Sequence, residues 1–538
     1  MADHLAGGSS RWRRTLGAAF GGARRPLWLS FGGGALIGLG QVPFSLLPFA
    51  LAGLALVLAS TGAAPGPGRA FLRGWLAGTG YFAVSLHWIV EPFLVDVARH
   101  GWMAPFALLF SAVGFALFWG LAAWGAARLV PRPGTARVIA LAALWAAAEW
   151  LRSTVLTGFS WGLVGYIWTE SPAAQIAAWT GSYGLTLVTI LLGVPIALAA
   201  RRGALGGAAV LAVAWLLPIA LGWLITPPPQ AAGPDAPLLR LVQPNAPQAE
   251  KWDPAKIDLF FTRQLEYTAA PGAPDLTIWP ETAIPWLLEE NHPALRRIAA
   301  AAQGRPVIIG ANRVEGARAY NALAVIGPEG RIDALYDKHH LVPFGEYMPL
   351  GGLTRLVGLR SFAARDGYGF SPGPGPGQLD LAALPPGGAV RDLGRAVPLI
   401  CYEAIFPRNV LGAPGRADWM VQITNDAWFG TFSGPYQHLA QARMRAIETG
   451  LPMVRVANTG ISAVIDAAGR VLGMIELNAA GYLDQRLPPP LPPTLYARSG
   501  DWPALGAMLL LALGAARAGR RGRAWLRRRQ RGRHAETD

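Results

Sequence analysis

Long apolar stretches flank one long mixed stretch, and this pattern divides the chain. Runs of about 20 largely apolar residues, the length that crosses a hydrocarbon core as a helix, occur at 71–91, 102–130, 136–153, 180–200, 204–225 and 502–519. A further stretch, 26–60, holds no charged residue. As one helix it would reach about 52 Å, against a core of about 30 Å. Gly and Pro cluster around Gln41-Val42-Pro43, so it is predicted to break there into two short spans, making eight in all. The segment 154–179, with Trp161, Trp168, Glu170 and Pro172, is apolar but interrupted. It is predicted to lie as a loop at the membrane interface.

The pattern changes at Thr226-Pro-Pro-Pro and changes back at Pro488-Pro-Pro-Leu-Pro-Pro. Neither run continues a helix. They divide the chain into a bundle of seven spans (1–229), an extramembrane domain (230–490), and a last span with a basic tail (491–538). Within the middle part, short apolar or β-branched runs at 238–243, 276–279, 306–310, 322–326, 397–401, 419–424, 453–457 and 463–466 read as strands. Helical patterns at 254–269, 293–303 and 435–449 separate several of them. Strands interleaved with helices predict a layered α/β domain. Residues 351–379, with Gly373-Pro-Gly-Pro-Gly, read as a long mobile loop, a length usually functional or disordered.

Charge orients this arrangement. Only 15% of residues are charged, against about 25% in soluble proteins, and 21 Trp exclude a disordered chain. Arginines gather on alternate loops: Arg11, Arg13 and Arg14, then Arg69 and Arg73, then Arg128, Arg132 and Arg137, then Arg201 and Arg202, then the tail at 517–533. The positive-inside rule puts these in the cytoplasm and the stretch from 226 to 499 outside it. The net charge of +15 sits largely in the tail, directly after an apolar segment. There it faces anionic lipid, and no nucleic-acid partner is expected. His87, Glu91 and Glu149 fall within the spans, which opens a transporter reading. The alternative, helix-end positions for His87 and Glu91 and pairing within the bundle for Glu149, is favoured, because no inverted repeat is visible.

Chemistry narrows next. One Cys excludes an intrachain disulfide and Cys-rich metal sites. His339 and His340 are adjacent and no HExxH motif occurs, so neither metal nor cofactor is expected. Three residues stand at or just after predicted strand ends, where chemistry collects in α/β sheets: Glu281, Lys338 and Cys401. Singly, each reads as ordinary, the Cys as core and the Glu and Lys as surface charge. Together they supply a thiol that must become thiolate to attack, an ammonium that favours the thiolate and stabilises an oxyanion, and a carboxylate that accepts protons if burial raises its pKa.

The motifs around these residues, Trp-Pro-Glu-Thr at 279–282, Tyr-Asp-Lys-His-His-Leu-Val-Pro-Phe-Gly-Glu-Tyr at 336–347 and Cys-Tyr-Glu at 401–403, resemble the Glu-Lys-Cys triad of the nitrilase (carbon–nitrogen hydrolase) superfamily. Pro343-Phe-Gly-Glu-Tyr-Met-Pro349, Thr424-Asn-Asp-Ala-Trp-Phe-Gly430 and Arg445-Ala-Ile-Glu448, with seven spans before the domain and one after, are similar to the bacterial apolipoprotein N-acyltransferase family. The resemblance implies a nitrilase-like αββα sandwich on the periplasmic side of a bacterial inner membrane. It implies transfer of a fatty acyl group from a phospholipid, typically phosphatidylethanolamine, to the α-amino group of a diacylglyceryl-cysteine apolipoprotein. Carried onto this sequence, Cys401 holds a thioester, Glu281 accepts protons, and Lys338 supports the oxyanion with Glu346 positioning it. Tyr402 and Glu403 flank the nucleophile, and Trp252 matches, more weakly, a residue lining the acyl site. The 351–379 loop, with Leu356, Leu359 and Phe362, is predicted to gate lipid entry, with ordinary packing as its alternative. Two rival readings stand beside this one: a membrane-tethered amidase or nitrilase that delivers the acyl group to water, and a transporter with a sensor domain.

Overall fold

The computed structural model describes residues 25–200, 203–349, 369–382, 384 and 391–535. The first half is helical: α1 (Arg25–Gly38), α2 (Leu47–Gly62), α3 (Pro67–Ser85), α4 (Ala104–Leu129), α5 (Thr135–Arg152), α6 (Ala177–Ala200) and α7 (Ala204–Ile225). The uncharged stretch breaks where Gly and Pro predict, and the Leu46 amide closes the turn on the Leu39 carbonyl at 2.9 Å. Small residues let the helices touch. A Cβ at Gly34 would run into the Ala77 carbonyl, and one at Gly80 into that of Phe31, so α1 and α3 meet backbone to backbone.

Among the described residues, four segments are long and apolar enough to cross a membrane: Val97–Leu129, Pro172–Ala200, Leu205–Ile225 and Trp502–Arg521. Eight crossings are predicted from the sequence; length and composition support these four. Helix α1 has 14 residues and α2 has 16, short of the usual span, while α3 carries Arg69 and Arg73 and α5 carries Arg137, Glu149 and Arg152. Large apolar side chains such as Phe110, Leu121, Leu205, Trp223, Leu224 and Leu510 are exposed on these helices, a surface that suits lipid rather than water.

Glu149 is paired inside the bundle, while Arg137 donates to the carbonyls of Val130 and Ala64. Glu149 and Arg152, both buried, form an ion pair at 2.8 Å, and Trp119 donates to the same carboxylate. Arg152 also donates to the carbonyls of Phe159 and Trp161, tying the following segment to α5. That segment, expected as a loop at the membrane interface, is packed between the bundle and the α/β domain. Residues 160–169 are buried, with Trp161 and Trp168 among the most enclosed side chains. The Trp161 indole donates to Gln437 Oε1 at 2.7 Å and Gln175 donates to the Ala468 carbonyl at 2.7 Å. Its aromatic residues are spent on wedging the bundle against the α/β domain. His87, following α3, touches that domain too, through Ser433 at 3.0 Å.

Two six-stranded sheets make up that domain. The first has the order β12-β1-β2-β3-β4-β5, from β1 (Leu238–Gln243), β2 (Leu276–Ile278), β3 (Val307–Glu315), β4 (Arg318–Ile326), β5 (Ile332–Asp337) and, returning late in the chain, β12 (Gly481–Arg486). The second has the order β11-β10-β9-β8-β7-β6, from β6 (Leu379–Asp380), β7 (Arg395–Ile400), β8 (Trp419–Thr424), β9 (Met453–Ala457), β10 (Ser462–Ile465) and β11 (Val471–Ile475). Strands β1, β2 and β3 run parallel, as do β7, β8 and β9. Side chains alternate between faces. Leu239, Ile278, Ile308 and Leu323 meet Ile400, Val421, Val454 and Val464 between the sheets. On the outer face of the first sheet, Val307 and Ile309 pack on α8 (Ile257–Ala269) and α9 (Pro293–Ala301). On the outer face of the second, Val397, Leu399 and Met453 pack on α10 (Gly434–Thr449). The layers are helix, sheet, sheet, helix, the αββα sandwich that the resemblance implied.

Helix α10 joins this domain to the bundle. Its Arg445 and Glu448 pair at 2.8 Å, fully buried. The Glu448 carboxylate accepts from the Ser182 amide at 2.7 Å, and Arg445 donates to Tyr166 and Ser182. The last long helix, α11 (Trp502–Ala535), returns along α5 and α6. Arg11, Arg13 and Arg14 lie outside the described residues, as do Arg201 and Arg202 and the proposed gate residues Leu356, Leu359 and Phe362. Where the predicted mobile loop re-enters the described chain it is pinned. The amides of Phe370, Ser371 and Gly373 donate to the carbonyls of Glu346, Ala319 and Lys338 at 2.7–2.8 Å.

Candidate active site

The two sheets bring three strand ends to one place. Strand β7 ends at Ile400 and the next residue is Cys401; β5 ends at Asp337 and the next is Lys338; Glu281 follows β2 after Trp279 and Pro280. All three side chains are buried. Cys401 adopts φ +50°, in the left-handed region that costs a non-glycine residue roughly 1–2 kcal/mol, and opens a 3₁₀ turn over Cys401–Ile405. Such strain persists only where the surroundings over-determine it.

Lys338 Nζ donates to Glu346 Oε1 at 2.8 Å and lies 3.7 Å from Glu281 Oε1. Asn321, in β4, donates from one amide nitrogen to Glu281 Oε1 at 2.7 Å and to Glu346 Oε1 at 3.2 Å. The other oxygen of Glu346 accepts the Val342 amide at 2.8 Å. Burial, and next the charge of Glu281, push the Cys401 thiol well above its ordinary value, with Lys338 and a hydrogen bond to Thr424 pulling the other way. The thiol therefore rests neutral. Burial also raises Glu281, though Lys338 opposes the shift, which moves this carboxylate towards the range of a useful proton acceptor. Burial disfavours the Lys338 charge, but Glu346, Glu281 and Cys401 outweigh it and hold the ammonium above its usual value. The group comprises a neutral thiol, a basic carboxylate and a fixed cation.

The other predicted residues stand apart from this chemistry in different ways. Glu403 is buried and accepts the main-chain amides of Ile400 (2.8 Å), His339 (2.9 Å) and His340 (3.1 Å), as well as the Tyr336 hydroxyl (3.0 Å). It ties the end of β7 to the segment carrying Lys338. Burial opposes its charge, yet the His339 side chain and the Ile400 amide outweigh it, and its pKa is lowered. Tyr402 points towards the bundle connector, its hydroxyl donating to the Gly158 carbonyl at 3.2 Å and its ring edge-on to His340 and Phe406. Trp252 lines a small cavity of about 20 Å³ with Lys251, Phe260, Phe261 and Gln264, its ring 5.2 Å from the Lys251 ammonium.

The sequence reading missed Asn321 and Lys251. Lys251 donates to the Glu281 carbonyl (3.1 Å) and to Thr282 Oγ1 (2.8 Å), and burial lowers its pKa to about 7. The available signal was a single amide inside an apolar strand, Tyr320-Asn-Ala-Leu-Ala-Val-Ile326, and a lysine beside a tryptophan. Among the described residues, no cluster of three His, Cys, Asp or Glu side chains could hold a metal ion.

Replacing Glu403 by alanine should strip four donors of their acceptor. At about 1–3 kcal/mol per orphaned buried group, the loss is expected to reach several kcal/mol, read as a lowered unfolding temperature in detergent. Because the folded pKa is depressed, the stabilisation is present above the ordinary carboxylate value and disappears as pH falls through the folded one. The gap between wild type and Glu403→Ala should therefore narrow on acidification. A variant as stable as wild type at neutral pH would refute the bracing role.

Two family models match the chain: "Apolipoprotein N-acyltransferase N-terminal domain" over residues 33–195 and "Carbon-nitrogen hydrolase" over 238–489. The apolipoprotein N-acyltransferase of Rhodopseudomonas palustris is 38% identical over 522 residues, spanning 89% of this chain and 92% of its own. That of Allorhizobium ampelinum is 41% identical over 426 residues, 77% and 78% of the two chains. That of Caulobacter vibrioides is 39% identical over 514 residues, 90% and 93%.

Proposed function

Since the chain belongs to the apolipoprotein N-acyltransferase family, and so is an acyltransferase of the carbon–nitrogen hydrolase superfamily, we propose that it moves a fatty acyl group from a phospholipid, through a thioester on Cys401, to the N-terminal amine of a diacylated apolipoprotein. The observation that carries this reading is the placement of Glu281 and Lys338 in one hydrogen-bonded group within electrostatic reach of the Cys401 thiol.

In the first half-reaction Glu281 takes the thiol proton as Sγ attacks the ester carbonyl of the donor. The oxyanion of the tetrahedral intermediate forms beside the Lys338 ammonium, which Glu346 holds in place. Collapse breaks the C–O bond, and the departing lysophospholipid alkoxide takes the proton from Glu281. In the second half the α-amine attacks the thioester carbonyl and gives a proton to Glu281. Collapse breaks the C–S bond, and the thiolate recovers that proton. The transfer is divided into two easier steps by the covalent intermediate, and the amide product is resonance-stabilised where the thioester is not. Phosphatidylethanolamine is the proposed donor.

The proposed setting is a bacterial inner membrane, with a bundle (1–229) of seven spans, a last span near the C-terminus and the catalytic domain (230–490) on the periplasmic side, the orientation the arginine loops favour. Both substrates carry acyl chains, and each buried CH₂ is worth about 0.8 kcal/mol, so both reach the site by diffusing within the bilayer. A site opening on lipid also limits the water that would hydrolyse the thioester.

The test is intact-protein mass spectrometry after exposure to phosphatidylethanolamine alone. One added acyl mass, released by hydroxylamine and absent from Cys401→Ser, is expected. Addition of a diacylated lipopeptide should then remove the mass and produce N-acylated peptide. Free fatty acid without acylated peptide would overturn acyl transfer in favour of hydrolysis.

A further inference from the structure

The carbonyl of Cys401 has partners of its own, in a chain of buried polar groups that the two-step scheme does not use. Gln422, in β8, donates from Nε2 to the Cys401 oxygen at 3.2 Å. The same nitrogen lies 3.1 Å from His438 Nε2. His438, in the first turns of α10, approaches Asp426 Oδ1 through Nδ1 at 2.8 Å. Asp426 also accepts from Thr424 at 3.0 Å and pairs with Arg455. Gln422, Thr424, Asp426, His438 and Arg455 are all fully enclosed.

Proton positions follow from these partners. Burial opposes the Asp426 charge, but Arg455 and His438 outweigh it and hold the carboxylate ionised, as an acceptor only. His438 Nδ1 therefore carries a hydrogen. Burial and then Arg455 lower the His438 pKa, leaving Nε2 without a hydrogen and free to accept. The amide nitrogen of Gln422 has two hydrogens, and the two acceptors within reach are His438 Nε2 and the Cys401 oxygen. That oxygen is also 3.2 Å from His438 Nε2, so both flank one shared donor. Swapping the Gln422 amide would set its oxygen against both acceptors, which fixes its orientation.

Cys401 keeps a left-handed backbone, φ +50°, that its side chain disfavours. On the amide side, Glu403 fixes the preceding Ile400 N–H. On the carbonyl side, the oxygen that opens the 3₁₀ turn also accepts the Gln422 side chain, a bond that ties it to β8. We propose that Gln422, oriented by His438 and Asp426, is the positioning group of the nucleophile: it fixes the Cys401 carbonyl, and with it the backbone that aims Sγ at Glu281 and Lys338. The role deepens the proposed function and rests on Cys401 being the acyl carrier.

Three variants test it: Gln422→Leu, which removes the donor; His438→Leu, which removes the acceptor that orients it; and His438→Gln, whose Oε1 can stand where Nε2 accepts. The full-length protein in phospholipid nanodiscs is read by the rate of Cys401 alkylation with iodoacetamide, by acyl-enzyme formation, and by kcat and KM for a diacylated lipopeptide. Gln422→Leu and His438→Leu are expected to slow alkylation and acylation by about 10- to 100-fold with KM within about twofold, and His438→Gln to recover most of the rate. Wild-type rates in Gln422→Leu would overturn the proposal. If Gln422→Leu does not fold, the His438 pair decides: equal rates in His438→Gln and His438→Leu would overturn it equally well. The two readings fail separately. A wild-type protein that alkylates at Cys401 but never takes up an acyl group sinks the transferase reading, whereas normal acylation with no effect in the variants sinks only the positioning role.

Discussion

Cys401→Ala is expected to leave a folded, membrane-inserted protein with acyl transfer reduced by about 10⁴-fold or more, the scale on which removing a nucleophile acts when its partners cannot substitute. Structural cost should be small. Alanine tolerates the left-handed backbone as well as cysteine does, since neither is β-branched, and the volume lost is that of one sulfur. Chemical cost should be nearly complete, because in the proposed scheme Glu281 moves protons and Lys338 holds an anion, and neither can carry an acyl group. The same geometry makes a second statement about the intact enzyme. Burial and Glu281 raise the thiol pKa, so no standing thiolate awaits substrate, and attack must coincide with proton transfer to Glu281. Alkylation of Cys401 should accordingly rise with pH as Glu281 loses its proton, and Glu281→Gln should flatten that rise. The comparison is made by mass spectrometry at matched unfolding temperatures. Turnover in Cys401→Ala above about 1% of wild type would remove the thioester route.

The strands and helices that the sequence reading located are those whose pattern is locally dictated. Strands β1, β7, β8 and β9 are buried on both faces along nearly their whole length and read as largely apolar runs. Strand β11 alternates half-buried and exposed positions, and β12, Gly481-Tyr-Leu-Asp-Gln-Arg486, carries more polar than apolar residues. Their strand character comes from pairing with β10 and β1, a long-range contact that no local window contains. The same distinction separates the site residues. Glu281, Lys338 and Cys401 were visible because strand ends are where side chains escape the sheet. Asn321 was not, because one amide in an apolar strand looks like any other until Glu281 and Glu346 converge on it from residues 40 and 25 positions away. His438 and Gln422 were hidden for the same reason, one on a helix and one in a strand, with no spacing to connect them. Segment 154–179 is legible only as an interrupted apolar stretch. Its tryptophans suit a membrane interface and a protein contact equally well, and the bonds of Trp161 to Gln437 and of Gln175 to the Ala468 carbonyl show that it packs on the α/β domain.

Lys338→Met is expected to lose about 10²- to 10³-fold in kcat from the oxyanion alone, on the scale of removing one fixed electrostatic partner from a buried site, and more than that at neutral pH. The excess comes from Glu281. Lys338 is the foremost influence opposing the upward shift that burial imposes on this carboxylate. Without the ammonium, Glu281 is pushed further up, a smaller fraction is ionised at pH 7, and the acid limb of the kcat/KM profile should move to higher pH. Stability carries an independent sign. A carboxyl whose folded pKa exceeds its unfolded value contributes fully below the unfolded pKa, and the contribution is lost as pH rises through the folded one. The variant retains Glu281 and Glu346 sharing Asn321 with no cation between them, so its unfolding temperature relative to wild type should fall as pH rises through neutrality. Profiles of kcat/KM and of unfolding temperature from pH 5 to 9 test both. An acid limb that stays in place when Lys338 is gone would mean that the ammonium does not govern Glu281, and the proton-transfer role assigned to that carboxylate would fail with it.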